Sequence, residues 1–296
     1  MNPWLSAIRL RTLPLALSSI GMGGFLAGAA GKFNLLIFTF CCLTTICLQI
    51  LSNLANDYGD SIHGADHEGR KGPQRAVQSG VISSAQMKSA VIIATILSFI
   101  SGVTLLRISL EMSRQEFLVF LGLGILCILA AIAYTVGKRP YGYVGLGDVS
   151  VLIFFGLVGV VGSYYLMAKK LEWSIIFPAL SCGLFSVAVL NINNIRDMES
   201  DISAGKYSVP VRIGKDKAVI YHSALLIIAI LSSLIYVLLN FRSGWQLLFL
   251  LIFPLLIKIN SAVKNESSDK LDPWLKRMAL TTLAFVILFG IGSLVS

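Results

Sequence analysis

The sequence predicts an all-α, polytopic membrane protein with nine transmembrane helices, formed as one domain over residues 1–296. Three observations carry this. Of the 296 residues, 56% are hydrophobic and only 13% charged, and the mean hydropathy is +0.80, too apolar for a water-soluble globule. The apolar residues fall in runs of about 20, the length that crosses a hydrocarbon core of about 30 Å. The charged residues collect between those runs, mostly on one side.

The first run, 13–31, contains Gly21, Gly23, Gly24 and Gly28, small residues that let helices approach closely. It is span-length and lacks a convincing cleavage site, so it reads as a span and not as a signal peptide. Run 34–54 ends at an acid-rich segment. Runs 87–106 and 117–136 are plain apolar stretches, and 149–168 begins beside Asp148. Run 174–191 ends at a second acid-rich segment. Run 218–240 is long and uniform. Run 244–260 is the weakest, being short and interrupted by Pro254, and 278–295 is the ninth. All five cysteines lie inside predicted spans, with no metal-ligand spacing, and read as packing residues.

Lys and Arg set the orientation. With the N-terminus in the cytoplasm, all but six of the 24 basic residues fall on the cytoplasmic side; the exceptions are Lys32, Arg107, Arg114, Lys169, Lys170 and Arg242. This bias fits an odd number of spans. No basic-aromatic pattern for nucleic acid accompanies the net charge of +9. Of the histidines, none has a paired ligand spacing, and His63 and His67 read as surface polar residues.

Two segments carry the chemistry. One holds Asn53, Asn56, Asp57 and Asp60; the other holds Asn191, Asn194, Asp197 and Asp201. Residues three, four and seven apart share a helix face, so each segment presents two carboxylates and a carboxamide in a stripe if the helix continues past its apolar run. Carboxylates are costly at the edge of a membrane unless a positive group meets them. These are hard oxygen donors of the kind Mg²⁺ takes, with diphosphate oxygens and water completing its shell. Solvated helix ends are the bland alternative, weakened by the match between the two segments. A transporter would carry its ionisable residues nearer mid-membrane.

Cations follow both segments: Lys71 and Arg75 after the first, Lys206 and Arg212 after the second. Such residues neutralise a bound diphosphate, although the positive-inside rule accounts for cations here as well. Asp66 could add a ligand. A third region, Tyr134 to Asp148, packs tyrosines, glycines and Lys138 between two spans, either as a ligand-facing turn or as an interfacial aromatic belt. Arg11 sits on the same side, as a span anchor or an anion contact.

The Asn-x-x-Asn-Asp-x-x-Asp motif, the later Asp-x-x-x-Asp, Tyr134-x-x-x-Lys138 and nine spans resemble the UbiA-type intramembrane prenyltransferases. Flanking pieces such as Arg11-Thr12-Leu13-Pro14 and Gly72-Pro73-x-Arg75 are similar to the branch acting on 1,4-dihydroxy-2-naphthoate. The resemblance implies helices around a central cavity, capped by helices in the two long loops, in a bacterial inner membrane. It further implies Mg²⁺ and polyprenyl diphosphate at Asp57, Asp60, Asp197 and Asp201, supported by Asn53, Asn56 and Asn194. Lys71, Arg75, Lys138, Lys206 and Arg212 would hold diphosphate or an anionic acceptor, and the prenyl tail would lie among the spans.

Overall fold

The computed structural model describes residues 2–63, 75–109 and 113–296. Among the described residues there is no strand, and nine helices are long and apolar enough to cross a membrane: Pro3–Ala29, Leu35–Ile62, Ser84–Ile108, Arg114–Ala133, Gly147–Ala168, Trp173–Arg196, Lys215–Leu239, Gly244–Asn265 and Asp272–Leu294. They are called the first to ninth spans below. Lys71, Asp66 and His67 lie outside the described residues.

Helix starts follow local sequence. Asn34 caps the second span by accepting from the Ile37 amide at 3.0 Å. Ser83 with Gln86, and Ser113 with Glu116, form reciprocal capping boxes at the third and fourth spans. The first span differs from expectation. It begins as a short helix, Pro3–Ile8, that breaks at Arg9, whose φ of 53° is left-handed, before the main helix Leu13–Ala29. The eighth span changes its winding at Pro254, as expected: a 3₁₀ stretch, Gly244–Ile252, gives way to helix Phe253–Asn265, and Pro254 stands in the first turn of that helix, where its missing N–H has little cost.

Of the sixth span's apolar window 72% is buried, against 6% of the fourth's, so the sixth is the central post and the fourth faces lipid. Phe185, Phe249, Phe285 and Phe289 cluster between the sixth, eighth and ninth spans, with Phe185 and Phe285 ring centroids 4.9 Å apart. The fifth span is wound as a π-helix over Leu152–Val161. It crosses the sixth at Gly156, where an added Cβ would lie 2.7 Å from the Ala179 carbonyl and 3.0 Å from the Gly183 Cα. Both obstacles are backbone, so Gly156→Ala is expected to lower stability by about 1–3 kcal/mol. A thermal melt in detergent checks this; an unchanged midpoint would mean the two spans separate freely.

The first five spans, with Leu190 of the sixth, enclose a cavity of about 360 Å³. Its walls are mostly apolar, including Leu105, Leu121, Phe154 and Phe155, and its polar end carries Asn53, Asn56, Tyr134 and Tyr141. Among the described residues, capping helices occur in the second long loop, as Met198–Ser203 and Val209–Ile213. In the first loop, residues 75–83 are turns and bends.

Candidate active site

The second span stays helical to Ile62, well past its apolar run, so Asn53, Asp57 and Asp60 share one helix as the spacing predicts. Asp57 is 1% exposed. Its Oδ2 accepts from the Ala76 amide at 3.3 Å, while Oδ1 is buried with no hydrogen-bond partner among the described residues. Asp60 pairs with the Arg75 guanidinium, and Arg75 also donates to the Asn56 carbonyl at 2.7 Å. The amides of Asn53 and Asn56 are engaged within the protein. Asn53 donates to the Ile8 carbonyl at 2.8 Å and to Thr12 at 3.0 Å, fastening the N-terminal helix. Asn56 accepts from the Thr135 hydroxyl at 3.2 Å. Gly59 admits Thr135 this closely, since a Cβ there would be 2.6 Å from its carbonyl oxygen.

The second motif departs from a continuous stripe. The sixth span ends at Arg196, Asp197 caps it, and a new helix starts at Met198. Asp197 is held by its own neighbour: Arg196 donates from Nε to Oδ1 and from Nη2 to Oδ2, both at 2.8 Å. Arg196 also reaches Asp272 at 2.5 Å and Asn193 at 2.8 Å. Asp201 lies 3.2 Å from the Lys206 ammonium. Burial, with the charges of Asp197 and Asp60 nearby, holds its carboxyl above the usual range, against the opposing pull of Lys206. The Asn194 Oδ1 is buried with no partner among the described residues.

Tyr143 joins the two halves. Its hydroxyl donates to Asp60 at 2.7 Å, and its carbonyl accepts from the Tyr207 amide at 2.8 Å. The His63 ring packs against it with centroids 5.5 Å apart, so His63 is half-buried in the site and not a surface residue. Removing the hydroxyl loses one hydrogen bond to a charged group, about 1.5–3 kcal/mol. Tyr143→Phe is accordingly expected to lower turnover about tenfold, with the backbone link to Tyr207 intact. Wild-type kinetics in this variant would remove Tyr143 from the site.

Other expected residues lie elsewhere. Lys138 is exposed and Arg212 is directed at backbone, donating to the carbonyls of Tyr207 at 3.0 Å and Val144 at 2.9 Å. Arg212 therefore braces the tyrosine turn against the second loop. Arg11 pairs with Asp272 at 3.2 Å. Asp148 is buried and accepts from the Tyr221 hydroxyl at 2.8 Å. Tyr134 lines the cavity, and burial together with the charges of Asp148, Asp60 and Asp201 pushes its phenol upward. Arg196, Tyr143 and Asp272 are absent from the sequence-based assignment. Arg196 stands inside the second motif, and its position among four acids and asparagines was the available signal.

No set of three His, Cys, Asp or Glu side chains is gathered to hold a metal among the described residues. The donor chemistry nevertheless fits a hard cation. Among the described residues, two buried oxygens, Asp57 Oδ1 and Asn194 Oδ1, have no donor, and a nearby cation would relieve the burial cost of Asp201.

Comparison with known proteins agrees with this architecture. The UbiA prenyltransferase family model matches residues 16–286. A 1,4-dihydroxy-2-naphthoate octaprenyltransferase of Haemophilus influenzae is 47% identical over 100% of this chain and 96% of its own. The enzyme of the same name from Escherichia coli is 45% identical over 99% and 95%. A UbiA homolog of Archaeoglobus fulgidus has the same fold, with a TM-score of 0.69 at 15% identity over 100% of both chains. That homolog bound to DMAPP and Mg²⁺ matches with a TM-score of 0.63 at 16% identity, over 99% of each chain. By sequence and by fold, this chain belongs to the UbiA prenyltransferase family.

Proposed function

We propose that this protein transfers a polyprenyl chain from polyprenyl diphosphate to 1,4-dihydroxy-2-naphthoate, with release of diphosphate and loss of the acceptor carboxyl as CO₂, yielding demethylmenaquinone in its reduced, quinol form. The observation that carries the reading is the link Tyr143 makes between Asp60 of the first motif and the loop after the second, beside an apolar cavity whose polar end carries Asn53 and Asn56 of the first motif. The full-length relatives named for this acceptor support the naphthoate. The charge asymmetry of the loops supports a cytoplasmic N-terminus and active site, in a bacterial inner membrane.

Asp57, Asp60, Asp197 and Asp201 would hold Mg²⁺, which supplies positive charge against the departing diphosphate. Arg75 and Lys206, already beside Asp60 and Asp201, bind diphosphate oxygens and stabilise charge as the allylic C–O bond breaks. The allylic carbon gains cationic character, and the electron-rich ring attacks it to form the new C–C bond. The apolar walls around Leu105, Leu121 and Phe154 take the tail and keep water from trapping that carbon.

Purified protein supplied with labelled polyprenyl diphosphate is expected to prenylate 1,4-dihydroxy-2-naphthoate, and to release label from its carboxyl as CO₂. Activity is expected to vanish on chelation with EDTA and return with Mg²⁺. Preference for 4-hydroxybenzoate or homogentisate would overturn the acceptor while leaving the reaction class. Full turnover in EDTA would overturn the metal.

A further inference from the structure

A second cavity, of about 180 Å³, lies at the opposite ends of the helices from the carboxylate site. Tyr164 closes the fifth span, Glu172 precedes the sixth, Asn240 follows the seventh, and Arg242 and Gln246 open the eighth. The walls are predominantly polar and carry one carboxylate and one guanidinium. Tyr164 is 2% exposed. Gln246 is also buried; it accepts from the Arg242 amide at 2.7 Å and donates to the Asn240 carbonyl at 3.0 Å, so the wall is braced. Among the described residues no carboxylate pairs with the Arg242 guanidinium. Among the described residues, the ion pair of Glu172 is with the exposed Lys170, at 3.5 Å, a surface contact of little strength.

The pocket's depth in the membrane is marked by its neighbours. Trp173, Phe241 and Trp245 each adjoin a pocket residue in sequence and are 70%, 62% and 60% exposed. Exposed aromatics of this kind sit at headgroup level. The volume falls below the roughly 300–1,000 Å³ of drug-sized sites, which suits a headgroup and excludes a whole lipid. A balanced pair of charges selects a ligand with one of each sign. A primary ammonium offers three donors to Glu172, whereas a quaternary one offers none.

We propose that this pocket binds the headgroup of an ethanolamine phospholipid from the leaflet opposite the carboxylate site, its phosphate at Arg242 and its ammonium at Glu172. Neither residue touches the proposed reaction, so binding here is separable from turnover.

The test is native mass spectrometry of the full chain released from nanodiscs containing equal phosphatidylethanolamine, phosphatidylcholine and phosphatidylglycerol. Phosphatidylethanolamine is expected to be retained about tenfold over the other two, as one charge-assisted contact implies. Arg242→Gln is expected to weaken retention of every phospholipid, and Glu172→Gln to abolish only the preference for ethanolamine over choline. Because Glu172 is partly exposed, that variant keeps the test available if Arg242→Gln does not fold. Equal retention of the three lipids, or an unchanged preference in Glu172→Gln, overturns the proposal. So does soluble O-phosphoethanolamine binding as tightly as the lipid, which would make the site one for a free metabolite.

Discussion

Asp57→Asn is expected to reduce kcat by about 10²–10³, the cost of losing one preorganised charge-stabilising group, without destabilising the metal-free protein. The two effects separate because of how Asp57 is held. Its Oδ2 accepts one backbone hydrogen bond, which an amide oxygen can also accept, and its Oδ1 has no donor among the described residues. A buried carboxylate in that state is a cost to folding, so neutralising it leaves the thermal midpoint level or higher. The same neutralisation removes the charge that would attract a divalent cation. Wild-type protein is expected to gain thermal stability from Mg²⁺ with a non-hydrolysable prenyl diphosphate analogue, by binding linkage. Asp57→Asn is expected to gain much less. A variant that keeps both its turnover and its Mg²⁺-dependent rise in midpoint would show that Asp57 is a structural acid.

This site was readable in the sequence to an uneven depth, and the reasons are physical. The nine spans were legible because apolar length is a one-dimensional property, and the second span's polar extension because Asn53, Asp57 and Asp60 keep helical spacing. The end of the sixth span was not legible. The Asn194, Asp197, Asp201 spacing also fits a helix, yet the chain turns at Asp197, where Arg196 holds both oxygens of its neighbour. Adjacent residues rarely face each other on a helix, so no periodicity argument pairs them. Tyr143 was equally hidden. It lies 83 positions from Asp60 in sequence, and one tyrosine among three in a turn is indistinguishable from an interfacial anchor until the loops are folded together. Lys138 and Arg212 show the converse. Both are cations beside a motif, and neither contacts a motif carboxylate.

Arg196→Met is expected to be the most destabilising single change at the site, by about 3–5 kcal/mol, because it strips the buried Asp197 carboxylate of both hydrogen bonds from Arg196. The side chain is 1% exposed and the Asp197 side chain 4%. Methionine matches much of the arginine stem in the core, so the loss reads the polar network and not an empty volume. Asp272 is 34% exposed on its side chain and can turn to water, so most of the cost belongs to Asp197. The double variant Arg196→Met/Asp197→Asn is therefore expected to recover stability relative to Arg196→Met alone, with a coupling of about 0.5–3 kcal/mol. Asp272→Asn should recover far less. Activity separates from stability in this series. Without Arg196, Asp197 loses the two hydrogen bonds that orient it, so turnover is expected to fall even at temperatures where Arg196→Met is fully folded. The double variant, more stable but lacking the carboxylate, should remain inactive. Additive losses across the pair would mean that Arg196 serves the fold through Asp272 and Asn193, linking the sixth span to the ninth, and does not position Asp197.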